Sequence, residues 1–177
     1  RQLGMTYLVY PGANHTRFEH SLGAFHLAGR IAENLPISPE EKSLVTSSAL
    51  LHDVGHGPLS HTSEALLERY LSRSHEEITN SIIKSSDIGE ILEDRGIETK
   101  SVCQMITGES EPLGKIVSGE FDVDRMDFLI RDAHYTGAAY GVIDLDRIIN
   151  TATIFENSLV IQERGLRAVE ALLMADF

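Results

Sequence analysis

The sequence predicts an all-α domain, a helical bundle carrying one small β-hairpin near its C-terminal end. Apolar residues recur at three- and four-residue spacing through most of the chain, the period of a helix that buries one face. Helix-start and helix-stop residues punctuate those runs. Only "TIFENSLVIQE" sets two short β-prone runs on either side of a turn. With 177 residues and 42% hydrophobic content, the chain fits one domain over 1–177 and can bury a real core.

Taken in order, residues 1–16 are turn-rich ("QLG", "PGANH") and are expected to be irregular. From Arg17 to Leu35, the residues Phe18, Leu22, Phe25, Leu27, Ile31 and Leu35 trace an amphipathic helix closed by Pro36. Ser38 then offers an N-cap, Pro39 the first helical position, and Glu40 and Glu41 the acids of a first turn. The helix that follows runs through "KSLVTSSALLHDVG", with Leu44, Val45, Ala49 and Leu51 inward and His52 and Asp53 at its C-terminal end. Helices are further expected over 60–71, 74–85, 87–94, 100–106 and 112–117. "DVDRMDFLIRDAHYTG" carries Val123, Met126, Phe128 or Leu129, and Ile130 as an apolar stripe ending at Gly137. The hairpin is expected over 151–163, turning at Glu156, Asn157 and Ser158, before a last helix in "GLRAVEALLMADF".

The formal charge of −12 argues against a nucleic-acid polymer as partner, since such surfaces are basic. It leaves room for a phosphate-bearing substrate, because a divalent cation and a few arginines reverse the field inside one pocket. No apolar run approaches the roughly 20 residues of a membrane span. The N-terminal stretch also lacks the pattern of a signal peptide. The single cysteine, Cys103, forbids an internal disulfide and suits a reducing cytoplasm. The missing initiator Met and the end within a helical pattern suggest a segment of a longer protein.

The segment "HDVGHGPLSH" concentrates three of the chain's eight histidines within ten positions. Adjacent His52 and Asp53 can direct a nitrogen and an oxygen to one point, and Gly55 and Gly57 bring His56 and His61 around nearby. Hydrolytic metals take such nitrogen and oxygen ligands and keep a position for water. His20 on the first helix and the acids Asp122, Asp124, Asp127 and Asp132 on a later one are further candidates. Isolated histidines such as His26 and His134 read as surface or hydrogen-bonded residues.

"RFEHSLG", "HDVGHGPLSH", "HE" at 75–76 and "DVDRMDFLIRDAHYTG" together resemble the successive motifs of the HD-domain phosphohydrolases. The likeness is greatest to the deoxynucleoside triphosphate triphosphohydrolase branch and runs from Gln2 to about Gly141. The resemblance implies a single HD domain with His20, His52, Asp53 and Asp124 as ligands of a divalent metal. A set of two histidines and two aspartates accepts Mn, Fe, Zn, Ni or Co, and also Mg. It further implies that His56, His61, Glu64 and His75 surround the scissile phosphate. Glu64 stands where relatives often carry Asp. Arg17 and Arg125 would grip phosphate, and Gln2, Leu3, Phe128 and Asp132 would line the nucleoside end. Phe128 departs from an expected Tyr, and core packing accounts for it equally well.

The implied function is hydrolysis of a nucleotide, with release of nucleoside and triphosphate from a deoxynucleoside triphosphate. A nucleoside monophosphate 5′-nucleotidase or cyclic-nucleotide phosphodiesterase of the same superfamily is the alternative enzyme. A nucleotide-sensing module without turnover is the alternative of another class. A homo-oligomer is expected by the same likeness, and a cytoplasmic location from the single cysteine.

Overall fold

A computed structural model of the chain describes residues 1–57, 69–70, 74–140 and 142–175. The all-α bundle with a C-terminal hairpin is what it shows. Among the described residues, a 3-10 turn at Thr6–Leu8 precedes the helices α1 (Arg17–Asn34), α2 (Pro39–Leu51), α3 (His75–Ser85), α4 (Asp87–Asp94), α5 (Thr99–Ile106), α6 (Gly114–Val117), α7 (Val123–Thr136), α8 (Leu145–Thr151) and α9 (Leu166–Ala175), the last entered through a second 3-10 turn at Glu163–Gly165. The helix expected over 60–71 lies outside the described residues, except that Arg69 and Tyr70 are helical.

Among the described residues, three helix starts are fixed by the same reciprocal device. Thr16 and Glu19 at α1, Ser38 and Glu41 at α2, and Ser74 and Glu77 at α3 each exchange side-chain and backbone hydrogen bonds. The end of α2 comes at Leu51, earlier than its apolar pattern suggests. There His52 Nδ1 donates to the Ala49 carbonyl at 2.7 Å, capping an orphan acceptor with a side chain. The chain then turns away, and His52 and Asp53 sit on that turn.

The buried face of α1 differs from the expected one. Phe18, Leu22 and Phe25 are exposed, while His20, Ala24, Leu27, Ala28 and Ile31 point inward. Small alanines let α1 pack closely on α2 and α7, the helices it touches most. That rotation brings His20 into the core. The main core joins α1, α2, α6, α7, α8 and α9 around Ile31, Val45, Ile116, Met126, Ile148 and Leu172. A smaller cluster of Ile83, Leu92, Val102, Cys103 and Ile106 lies under α3 to α5.

Helix α8 was not expected. Its buried Ile148, Ile149 and Thr151 are β-branched and run without a break into the first strand. The hairpin pairs β1 (Ala152–Phe155) with β2 (Ser158–Ile161), from Ala152 opposite Ile161 to Phe155 opposite Ser158. Its turn is therefore the two residues Glu156 and Asn157, both with positive φ, and Ser158 belongs to the strand. Among the described residues, no helix is long and apolar enough to cross a membrane.

Candidate metal centre

Three elements converge on one point. His20 comes from the second turn of α1, His52 from the turn after α2, and Asp124 from the first turn of α7. His20 Nε2 lies 3.0 Å from Asp124 Oδ1 and 3.3 Å from His52 Nε2. His52 Nε2 lies 3.6 Å from the same Asp124 oxygen. The three ligand atoms all fall within 4.8 Å of one another. The Asp53 carboxylate closes the group, with Oδ2 at 3.7 Å from His20 Nε2 and Oδ1 at 3.7 Å from His52 Nε2. The His20 side chain is fully buried, whereas Asp124 is 41% exposed, so the cluster opens to solvent on the α7 side.

The residues fit a divalent cation because each ring is held by its other nitrogen. His52 gives its Nδ1 proton to Ala49, and His20 Nδ1 lies 2.8 Å from Asp127 Oδ2. Both Nε2 atoms are thereby turned toward each other and toward a carboxylate, three lone pairs converging on one place. Electrostatics report the same demand for positive charge. Burial opposes charge on His20, but Asp124, Asp127 and Asp53 outweigh it and lift the imidazole to about 9. His52 is likewise raised by Asp124 and Asp53 against its burial. Burial would raise Asp124, yet His20 and His52 hold it well below the usual carboxylate range.

The sequence offered Asp127 only as one of four acids on this helix, and its contact with His20 Nδ1 is what the structure adds. Asp127 lies one turn from Asp124 on α7 and is gripped in turn by Arg131, whose Nε and Nη2 donate to it at 2.7 and 2.8 Å. Gly23 on α1 is what lets this pair approach, since a Cβ there would overlap Asp127 Oδ1 and Arg131 Nη2. The signal was present as i, i+3 and i, i+4 spacing from Asp124 through Asp127 to Arg131.

Beside the cluster, Arg17 Nη1 donates to Asp53 Oδ2, and His56 Nε2 lies 3.2 Å from Asp53 Oδ1. Against its burial, Asp53 is held far below the usual carboxylate range by His56, His52 and Arg17. The ring of His56 stacks on that of His75 with centroids 4.2 Å apart. Gly55 makes this possible, because any Cβ would overlap Thr79 and the His75 carbonyl on α3. The two histidines thus come together across a turn and a helix start. His61 and Glu64 lie outside the described residues.

Of the residues expected at the nucleoside end, Gln2 and Asp132 are linked through His15. Asp132 Oδ1 lies 2.6 Å from Nε2 of the buried His15, and the His15 carbonyl accepts from the backbone N–H of Gln2 at 2.9 Å. The Leu3 carbonyl accepts from Thr6 and opens the 3-10 turn. Phe128 is half-buried and packs against the main core. Arg125 Nη1 donates to the carbonyls of Gly119 and Glu120, so this guanidinium is engaged at the start of α7. Asp122 caps α7 by accepting from Arg125 and Gly119 N–H groups, and burial pushes its carboxyl up to about 6. His26 and His134 are exposed.

Comparison with known proteins agrees with this geometry. Residues 17–132 match the family described as the HD domain. An uncharacterized protein of Methanocaldococcus jannaschii, MJ1154, is 44% identical over 179 residues, covering 99% of this chain and 36% of that protein. The SAMHD1 homolog of Dictyostelium discoideum, a deoxynucleoside triphosphate triphosphohydrolase, is 32% identical over 181 residues, covering 90% of this chain and 34% of its own length. The crystal structure of a phosphohydrolase from Bacteroides thetaiotaomicron superposes with a TM-score of 0.83 at 36% identity, over 99% of this chain and 44% of that one. The chain therefore spans less than half the length of these relatives. Its motifs, its bundle and its histidine–aspartate cluster have one explanation: the chain belongs to the HD-domain family.

Proposed function

We propose that the chain forms the catalytic domain of a metal-dependent phosphohydrolase that splits deoxynucleoside triphosphates into nucleoside and triphosphate. The observation that carries this reading is the convergence of His20, His52 and Asp124, with Asp53 beside them, next to Arg17 and the stacked His56 and His75. Support for the substrate class comes from the triphosphohydrolase and phosphohydrolase relatives. His20, His52, Asp53 and Asp124 would hold the cation, drawn from Mn, Fe, Zn, Ni, Co or Mg. When bound, that cation supplies Lewis acidity toward a phosphoryl oxygen and lowers the pKa of water.

The chain's own residues do the rest. Arg17 offers a guanidinium to the phosphate oxygens, where charge grows in the transition state. Arg125 would contribute the same way by turning from the carbonyls it holds. Water attacks the α-phosphorus, the bond to O5′ breaks, and a proton reaches O5′ from the group of His56, His61 and His75, with Glu64 orienting a histidine. Gln2, Leu3, Phe128 and Asp132 face the nucleoside. A nucleotide substrate also suits the opening of the cluster on its Asp124 side.

The test is product analysis by ion-exchange chromatography on metal-loaded protein given each deoxy- and ribonucleoside triphosphate. Nucleoside plus triphosphate, absent with the Asp53→Ala protein, is the expected result. Nucleoside monophosphate plus pyrophosphate would overturn it.

A further inference from the structure

We propose that His15 is a positioning residue for substrate recognition, holding the Asp132 carboxylate where it meets a sugar hydroxyl. The inference rests on the reading above that Asp132 faces the nucleoside. His15 lies in the loop before α1 and has no part in the metal cluster.

The geometry binds this one residue to two distant segments. Its Nε2 lies 2.6 Å from Asp132 Oδ1, across 117 positions of sequence, and its side chain is fully buried. Its ring stacks on Tyr135, three residues further along α7, with centroids 4.6 Å apart and planes at 27°. Its carbonyl accepts from Gln2 N–H at 2.9 Å. Gln2 and Asp132, which enter the nucleoside end from opposite ends of the chain, are therefore registered through the same histidine. With Oδ1 taken by His15, Oδ2 is the oxygen left to accept from a hydroxyl.

Packing alone does not call for a histidine here. His15 Nδ1 is buried and has no hydrogen-bond partner among the described residues. An unmet buried polar atom costs roughly 1–3 kcal/mol, and an apolar ring would stack on Tyr135 without that cost. What an apolar ring lacks is the Nε2 contact. Burial pushes the Asp132 carboxyl up, and the His15 imidazole works against that rise. His15 thus favours the form of Asp132 that accepts.

Steady-state kinetics on dATP and 2′,3′-dideoxy-ATP test this, using the wild-type protein, His15→Ala and His15→Gln, with bound metal measured for each. Wild-type protein should show a lower KM for dATP by about tenfold or more, the order lost when a buried group misses its hydroxyl. His15→Ala should lose that preference with its metal content unchanged, and His15→Gln, whose amide still donates, should recover part of it. Equal KM values in the wild-type protein would overturn the sugar reading of Asp132 and this inference with it. A wild-type preference that His15→Ala retains would overturn the inference alone. If His15→Ala does not fold, the imidazole ¹⁵N signals of His15 in the wild-type protein decide. They should shift with deoxyadenosine and not with 2′,3′-dideoxyadenosine, and equal responses would overturn the proposal.

Discussion

Asp127 Oδ2 sits 2.8 Å from His20 Nδ1, and Arg131 holds the same carboxylate through two bonds. One ligand ring is thereby fixed in tautomer and angle by a chain of side chains running from α7 to α1. Asp127→Asn replaces an obligate acceptor with a group that can also donate. The loss expected for such an outer contact is about 10–100-fold in metal affinity. Competition against a chelator of known affinity reads it directly. Unchanged affinity would mean that His20 is oriented by packing alone.

Gly23 makes the same point from the opposite helix. A methyl group there would overlap the Asp127 and Arg131 side chains. Gly23→Ala should therefore weaken metal binding together with stability, by about 1–3 kcal/mol in urea unfolding. A Gly23→Ala protein as stable as wild type would contradict the packing described.

If His20 holds the proposed cation, metal and proton compete for it. In the folded chain it is pushed up to about 9, above the ordinary 6.5 of a histidine. In chelator-treated protein this group contributes stability that is full below the unfolded pKa and is lost as pH rises through about 9. Asp53, Asp124 and Asp127 are shifted down, so their contribution is full above the ordinary carboxylate range and is lost as pH falls below that range toward their lower folded values. Thermal unfolding without metal should therefore give a Tm that declines from about pH 7 toward about pH 9.5. The Tm gained on adding a saturating divalent cation should grow over the same interval, because the competing proton leaves. A gain that shrinks with rising pH would contradict it.

Gly55 stands in the chain between the proposed metal ligands His52 and Asp53 and the proposed catalytic histidine His56. Gly55→Ala would push the turn off α3 and part His56 from His75. It should cut kcat by about 10²-fold or more, the scale of a misplaced proton donor, while equilibrium metal binding stays near wild type. Single-turnover kinetics alongside metal titration separate the two. Equal losses in both would show that the turn supports the ligands and the histidines as one unit.

Much of the fold was legible because its signals are local. Ser38, Pro39 and Glu41 announce α2, and the β-prone runs on either side of Glu156 and Asn157 announce the hairpin. Helix α8 was hidden because seven residues rich in β-branched side chains carry no distinct helical period. The face of α1 was misjudged because apolar size outweighed helix contact. Phe18, Leu22 and Phe25 looked inward by hydrophobicity, yet Ala24 and Ala28 permit the close approach that buries His20. In the site, the pairing of His52 and Asp53 is written in adjacent positions. The contact of His15 with Asp132 spans 117 positions and leaves no trace in local spacing.

The central claim is that water attacks the α-phosphorus of a nucleotide held at the His20, His52 and Asp124 cluster. Turnover of dATP in ¹⁸O-labelled water, followed by mass spectrometry of both products, tests it most directly. The account predicts one ¹⁸O in the released triphosphate, none in deoxyadenosine, and no product from protein treated with chelator. Label in the nucleoside, or pyrophosphate in place of triphosphate, would contradict it.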